Sequence, residues 1–242
     1  MALKVTSAKE LEPTNLTFLI YANPGTGKTS AIKHMPGKRL VVDIDKSSSV
    51  LKGENDIDIL EIDTHNIWNQ WMETIKYLQE NAKHYDIIAI DNVTELFRSV
   101  LTQLGREGKN NRVPGMDAYQ RADFVLMDSF RALKGLNKTL VFTAWETSDQ
   151  WHTPDGQMYN RAFPEIRRTI SNNFMGLCDV VARLVVHKDD EDNERRGFIL
   201  QPSNNVYAKN RLSDARGARV DELFLKTVGA GDEKGDADVQ TP

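Results

Sequence analysis

Phe18-Leu19-Ile20-Tyr21-Ala22-Asn23-Pro24-Gly25-Thr26-Gly27-Lys28-Thr29 decides how this chain is read. The apolar run from Thr17 to Tyr21 reads as a strand, and it passes into a glycine-containing loop that closes in Gly-Lys-Thr. A loop of this kind between a strand and a helix turns its backbone N–H groups inward and cradles phosphates. The residues placed to hold a nucleotide are Asn23, Pro24, Gly25, Thr26, Gly27, Lys28, Thr29 and Ser30. In such a Walker A loop the lysine, Lys28, reaches the β- and γ-phosphates of ATP, and the hydroxyl of Thr29 ligates Mg²⁺. A helix opening at Lys28 aims its positive end at the same phosphates. Ala22 stands where the strict motif has glycine, a variant that many nucleotide-binding loops share.

Outside this loop the chain alternates strand and helix signals. Strands are expected at Thr17–Tyr21, Arg39–Asp43, Ile57–Ile62, Ile87–Asp91, Thr139–Thr143, Val180–His187, Gly197–Gln201 and Val206–Ala208. The early ones are short, continuously apolar runs, which suits parallel strands covered on both faces. Between Thr64 and Ala82 the apolar residues Ile67, Trp68, Trp71, Met72, Ile75 and Leu78 fall at helical spacing. Further helices are expected over Asp117–Leu136 and over Pro164–Leu177, with Pro164 in the first turn. The alternation predicts an α/β fold with a mostly parallel sheet flanked by helices. Val180–His187 and Gly197–Gln201, joined by the charged run Lys188–Arg196, add a C-terminal antiparallel hairpin, with the charges at a solvated tip.

Composition sets limits. With 242 residues and 40% hydrophobic content the chain can bury one large domain. A net charge of −4 argues against a wholly basic nucleic-acid-binding surface, so contact with a polyanion must come from local patches. The one cysteine, Cys178, excludes an internal disulfide and suits a reducing cytosol. No apolar run reaches transmembrane length, so membrane is not an expected partner and a cytoplasmic location is. Residues 1–15 read as an N-terminal extension and 16–225 as the ATPase domain. Residues 226–242, Gly/Asp-rich and poor in bulky apolar groups, read as a disordered acidic tail.

The second half of a nucleotide site follows about sixty residues after the first. Tyr85-Asp86-Ile87-Ile88-Ala89-Ile90-Asp91 is an apolar strand ending in aspartate, the Walker B pattern, and Asp91 is the expected partner of Mg²⁺ alongside Thr29. AAA+ ATPases usually place a catalytic glutamate next, but this chain has Asn92. RecA-like ATPases carry it just past the strand that follows the Walker A helix, and Asp45 in Arg39–Asp45 matches that position, one methylene shorter than glutamate. Asp45 either polarises the attacking water or caps a turn, with Glu95 as the fallback base. In Thr139–Glu146, which resembles the RecA-like γ-phosphate-sensing strand, Thr143 and Glu146 are sensors or packing residues. Lys209 and Arg211, in Ala208-Lys209-Asn210-Arg211, resemble the paired cations with which RecA-like rings reach a neighbour's ATP; the alternative is an exposed basic turn.

The span from Leu16 to about Arg211 resembles the phage-encoded RecA-like P-loop ATPases related to the Sak-four single-strand annealing and recombination proteins. The resemblance rests on Ala22–Thr29, Val41–Asp45, Ile87–Leu96, Thr139–Glu146 and Ala208–Arg211. It implies a RecA-like core with ATP and Mg²⁺ as cofactors and ATP-dependent action on single-stranded DNA. It also implies self-assembly into a ring or filament with ATP between subunits, and work alongside a single-strand-binding protein in a bacterial host cytosol. Two loops are the DNA candidates in that reading. Gly105–Gly115 offers Lys109 and Arg112. Trp151–Arg161 offers Trp151 and Tyr159 for stacking and Arg161 for phosphate, with Arg167 and Arg168 beyond it. The second loop reads equally as a hairpin turning at Asp155-Gly156. The rival functions are a P-loop kinase acting on a small molecule and a non-hydrolysing, ATP-dependent assembly switch.

Overall fold

The computed structural model describes residues 15–189 and 191–224, together with residues 5, 7 and 9. The expected acidic tail, and most of the expected N-terminal extension, lie outside the described residues.

The expected mostly parallel sheet with flanking helices is present. Its parallel part is built from β1 (Thr17–Ala22), β2 (Arg39–Asp43), β3 (Ile57–Glu61), β4 (Ile87–Asp91), the first half of β5 (Thr139–His152) and β7 (Val180–Lys188). Their order across the sheet is β7-β1-β5-β4-β2-β3. β1, β2 and β4 are buried along their whole length, as continuous apolar runs demand when helices cover both faces. β8 (Glu194–Ile199) pairs antiparallel with β7 as the expected hairpin, and β10 (Gly217–Arg219), which the sequence reading missed, adds beyond it.

Strand order places the chemistry. β5 lies between β1 and β4, so the strand leading into the phosphate loop is not a neighbour of the strand that ends in Asp91. The registers Ile20↔Thr143 and Asp43↔Asp91 bring four carboxyl-terminal strand ends to one edge of the sheet. In open α/β sheets that edge is where ligands bind.

Helices α2 (Ile67–Asn81), α3 (Val93–Glu107), α4 (Met116–Lys134) and α5 (Arg168–Leu177) share the larger core with one face of the sheet. Phe130, Phe142 and Phe174 meet there with ring centroids 4.4–5.2 Å apart, and Trp71 Nε1 donates to Ser129 Oγ at 3.0 Å. Each such aromatic is worth about 3–5 kcal/mol when truncated to alanine. The smaller core on the other face gathers Phe18, Ile32, Phe198 and Phe224 around α1 (Lys28–Ala31).

Two local expectations are corrected, and one open alternative is decided. α5 begins at Arg168, because Pro164 ends β6 (Met158–Pro164) and pairs with Glu146 across the hairpin. A proline, which lacks an N–H, fits a strand end as readily as a first helical turn. The strand that begins at Thr139 continues to His152, so the second candidate DNA loop is an antiparallel hairpin turning through Thr153–Gln157, with Gly156 at φ 85°. The late strand is displaced: Val206 makes an isolated bridge to Ala162, and β9 is Lys209–Asn210, paired with β7.

Candidate nucleotide site

The phosphate loop leaves β1 at Ala22 and enters α1 at Lys28. Gly25 and Gly27 both have positive φ, 80° and 107°, so the bend needs residues without a side chain. Thr26 folds back on the loop, its Oγ1 donating to the Asn23 carbonyl at 2.9 Å. α1 is only four residues long before it tightens into the 3₁₀ turn Ile32–His34, so the anion-binding donors here are the loop amides and Lys28 rather than a long helix. Lys28 is buried, and its Nζ donates to the carbonyls of Ala22 (3.0 Å) and Asn23 (3.1 Å), the first residues of its own loop. Burial pushes its ammonium below the usual lysine range, against the carboxylates of Asp91, Asp45 and Glu146, which favour the charge. A buried cation beside a strand-to-helix loop with two positive-φ glycines has the chemistry that suits a polyanion.

Asp91 is the hub of the facing wall. Its Oδ2 accepts from Thr29 Oγ1 at 2.5 Å and from Ser47 Oγ at 3.3 Å, and its Oδ1 accepts from Thr143. Burial raises its pKa above the ordinary 3.8, the two threonine hydroxyls pull it down, and the nearby Asp45 and Asp43 add to the rise. Ser47 and Asp43 escaped the sequence reading. Asp43 accepts from the backbone N–H groups of Ser47 (3.1 Å) and Ser48 (3.2 Å), which folds the turn after β2 so that Ser47 Oγ stands 3.0 Å from Thr29 Oγ1. Among the described residues no group of three His, Cys, Asp or Glu side chains forms a metal cage. The hydroxyls of Thr29 and Ser47 beside one carboxylate fit Mg²⁺, which takes one or two protein oxygens and completes its shell with phosphates and water.

Asp45 and Asn92 are joined. The Asn92 side-chain amide donates to Asp45 Oδ2, and the Asn92 side-chain carbonyl accepts from Glu95 N–H at 2.8 Å, capping α3. Asn92 is fully buried, whereas Asp45 is partly open. Asp45 lies close enough to Lys28 to act on its charge. Glu95 instead accepts from Ser99 Oγ (3.0 Å) in its own helix. That geometry favours Asp45 over Glu95 as the carboxylate facing the site.

Both sensor candidates face the site. Thr143 binds Asp91, and Glu146 accepts both Nε and Nη2 of Arg183 at 2.8 Å and the Asn23 amide at 3.4 Å. Beside them is an open polar cleft of about 680 Å³, lined by Asn23, Glu146, Asn160, Arg183 and Asn205. The hairpin of β5 and β6 runs on from Glu146, and its pairs Asp149↔Arg161 and Trp151↔Tyr159 share one face. Arg161 lies between the rings of Trp151 (4.7 Å) and Tyr207 (5.2 Å), and Trp151 is 42% exposed.

The other expected residues part company. Lys109 and Arg112 are exposed on the loop between α3 and α4, and Arg168 is exposed 3.4 Å from Asp149. Arg167 is a correction to the DNA set: its guanidinium bonds Asp123 and the Tyr119 carbonyl and stacks on the Tyr119 ring, so it fastens α5 to α4. Lys209 is a second correction. Its Nζ donates to the carbonyls of Met175 (3.0 Å), Gly176 (2.9 Å) and Cys178 (2.5 Å), which uses all three of its donors on the end of α5. Arg211 is more open, with one bond to the Gly176 carbonyl at 3.2 Å and Asp179 at 3.8 Å.

No helix among the described residues is long and apolar enough to cross a membrane. No curated protein matches the chain. Among solved structures it is similar to the KaiC-like protein PH0186 from the hyperthermophilic archaea Pyrococcus horikoshii OT3. That likeness has 13% identity and a TM-score of 0.42, over 77% of this chain and 78% of that one. The family model described as AAA domain matches residues 14–212, a span that holds the phosphate loop, Asp91 and every residue placed around them. The chain belongs to the AAA domain family of P-loop ATPases.

Proposed function

We propose that the chain binds Mg²⁺–ATP in the cradle between Asn23 and Ser30, hydrolyses it, and couples the cycle to single-stranded DNA held on the β5–β6 hairpin. The observation that carries this reading is the continuity of β5. The strand that puts Thr143 on Asp91 and Glu146 beside the phosphate loop continues outward to Trp151. A half-exposed Trp151 with a stacked guanidinium is a platform for unpaired bases, worth about 1–3 kcal/mol per base. Lys109, Arg112 and Arg168 are the cations assigned to the backbone phosphates.

In the reaction Lys28 holds the β- and γ-phosphates, and Asp45, oriented by Asn92, takes a proton from the attacking water. Mg²⁺, when bound at Thr29, Ser47 and Asp91, supplies positive charge to the departing phosphates. Arg211 supplies charge to a neighbouring subunit's site, so turnover requires assembly into a ring or filament. The biological output in this reading is annealing or recombination of single strands in a bacterial cytosol, alongside a single-strand-binding protein.

Phosphate release measured with and without single-stranded DNA tests the proposal. Stimulation by DNA supports it. Turnover that appears only with a small acceptor identifies a kinase, and ATP-dependent assembly without release identifies a switch; either result overturns it.

A further inference from the structure

A second cation of the same chain lies on the phosphate loop, from a segment whose composition marks only a solvated tip. Neighbouring side chains of β8 point to opposite faces of the sheet. Arg195 accordingly turns to Asp189, at 2.9 Å within the hairpin. Arg196 turns to the phosphate loop, where its Nε donates to the Thr26 carbonyl at 3.0 Å. It lies so close over Gly27 that a Cβ added there would stand 3.3 Å from the same Nε.

The Thr26 carbonyl and the Gly27 N–H belong to one peptide unit. In a phosphate loop the N–H groups face the anion. A cationic donor on the carbonyl fixes the plane of that unit, and it polarises the N–H at the other end toward stronger donation. We propose that Arg196 is a positioning residue of the phosphate loop: it holds the Thr26–Gly27 peptide in its anion-binding orientation and makes the β7–β8 hairpin part of the nucleotide site. The proposal rests on the ATP reading above. Arg196 is exposed and lines an open cleft of about 750 Å³ with Gly25, Gly27, Ser30 and His34, so truncating it empties no core.

The test compares the full-length wild type with Arg196→Ala, Arg196→Lys and, as a control on the same hairpin, Lys188→Ala, whose ammonium pairs with Asp192. ATP titration calorimetry, steady-state phosphate release and thermal melting are measured on each. Arg196→Ala is expected to raise the Kd and KM for ATP about tenfold while kcat changes less than about twofold and melting is unaltered. Arg196→Lys recovers part of the affinity by restoring a cation without the fixed fork, and Lys188→Ala behaves as wild type. Wild-type ATP uptake with unaltered uptake by Arg196→Ala overturns this inference alone. So does a fall in kcat at constant KM. Should the alanine variant fail to fold, Arg196→Lys and Arg196→Gln carry the same comparison. A wild-type chain that takes up no ATP overturns the nucleotide reading, and this inference with it.

Discussion

Asn92 holds Asp45: its side-chain amide donates to the aspartate's Oδ2 while its own carbonyl caps α3. A residue that stands where AAA+ ATPases usually carry glutamate is thereby tied to Asp45, the carboxylate proposed to take that glutamate's role. Asp45→Asn is expected to lower kcat by about 100-fold or more, the usual contribution of a general base, with ATP affinity intact. Asn92→Ala removes the hold on Asp45 together with the α3 cap, and is expected to cost about tenfold in kcat and about 0.5–2 kcal/mol of stability. Single-turnover kinetics separate the two. Full activity in Asp45→Asn assigns the aspartate to turn capping.

Asp91 sets function against stability. Burial makes it bind its proton more tightly in the folded chain than in the unfolded one. Stability without nucleotide therefore falls as pH rises from the ordinary value of 3.8 through the raised folded value, and stays lowered above it. A carboxamide in place of this carboxyl has no proton to lose. Asp91→Asn is therefore expected to melt higher than wild type at neutral pH, with the difference shrinking in acid, and to lose Mg²⁺-dependent turnover. Melting curves across pH, without Mg²⁺ or nucleotide, check the sign; a variant that melts lower at neutral pH contradicts it.

The two cations Lys209, in β9, and Arg211, just after it, are predicted to separate. Lys209→Ala leaves three carbonyls at the end of α5 without their donor, and is expected to cost about 1–3 kcal/mol of stability. Arg211→Ala is expected to keep stability and ATP affinity and to lose turnover. Mixing it with a Walker A variant, whose subunits supply Arg211, should restore activity. No recovery on mixing removes the in-trans role.

On the hairpin, Trp151→Ala is expected to weaken single-stranded DNA binding by about 5- to 150-fold, the equivalent of one stacked base. Arg167→Ala is expected to spare DNA binding and to lower stability, because Asp123 loses its guanidinium. Fluorescence anisotropy with a labelled oligonucleotide, alongside melting, reads both. Equal DNA affinity in wild type and Trp151→Ala removes the hairpin as the binding surface.

The parts of the site that could be read from the chain are those where one covalent stretch carries the whole signal. The loop from Ala22 to Thr29 and the strand ending in Asp91 are of this kind: their apolar runs are buried on both faces and their motif residues adjoin. What escaped depends on register. Ser47 sits in a polar run that looks like any turn until Asp43 is set beside Asp91. Arg196 is one of many charges in a hairpin, and only the pairing of β7 with β8 aims it at Thr26. Pro164 carries the same local signal for a helix start as for a strand end, and pairing across the hairpin decided it. Lys209 reads locally as a cation for a neighbouring subunit's ATP or an exposed basic turn, because nothing nearby in the chain announces the three carbonyls that α5 presents to it.

The central claim is that loop amides and the buried Lys28 grip a nucleoside triphosphate. Calorimetric titration of the full chain with ATP and Mg²⁺ measures it directly, with Lys28→Ala as the comparison. The account predicts one saturable site per chain in the wild type and its loss in the variant. Absence of ATP uptake by the folded wild type, or equal uptake by the variant, would contradict it.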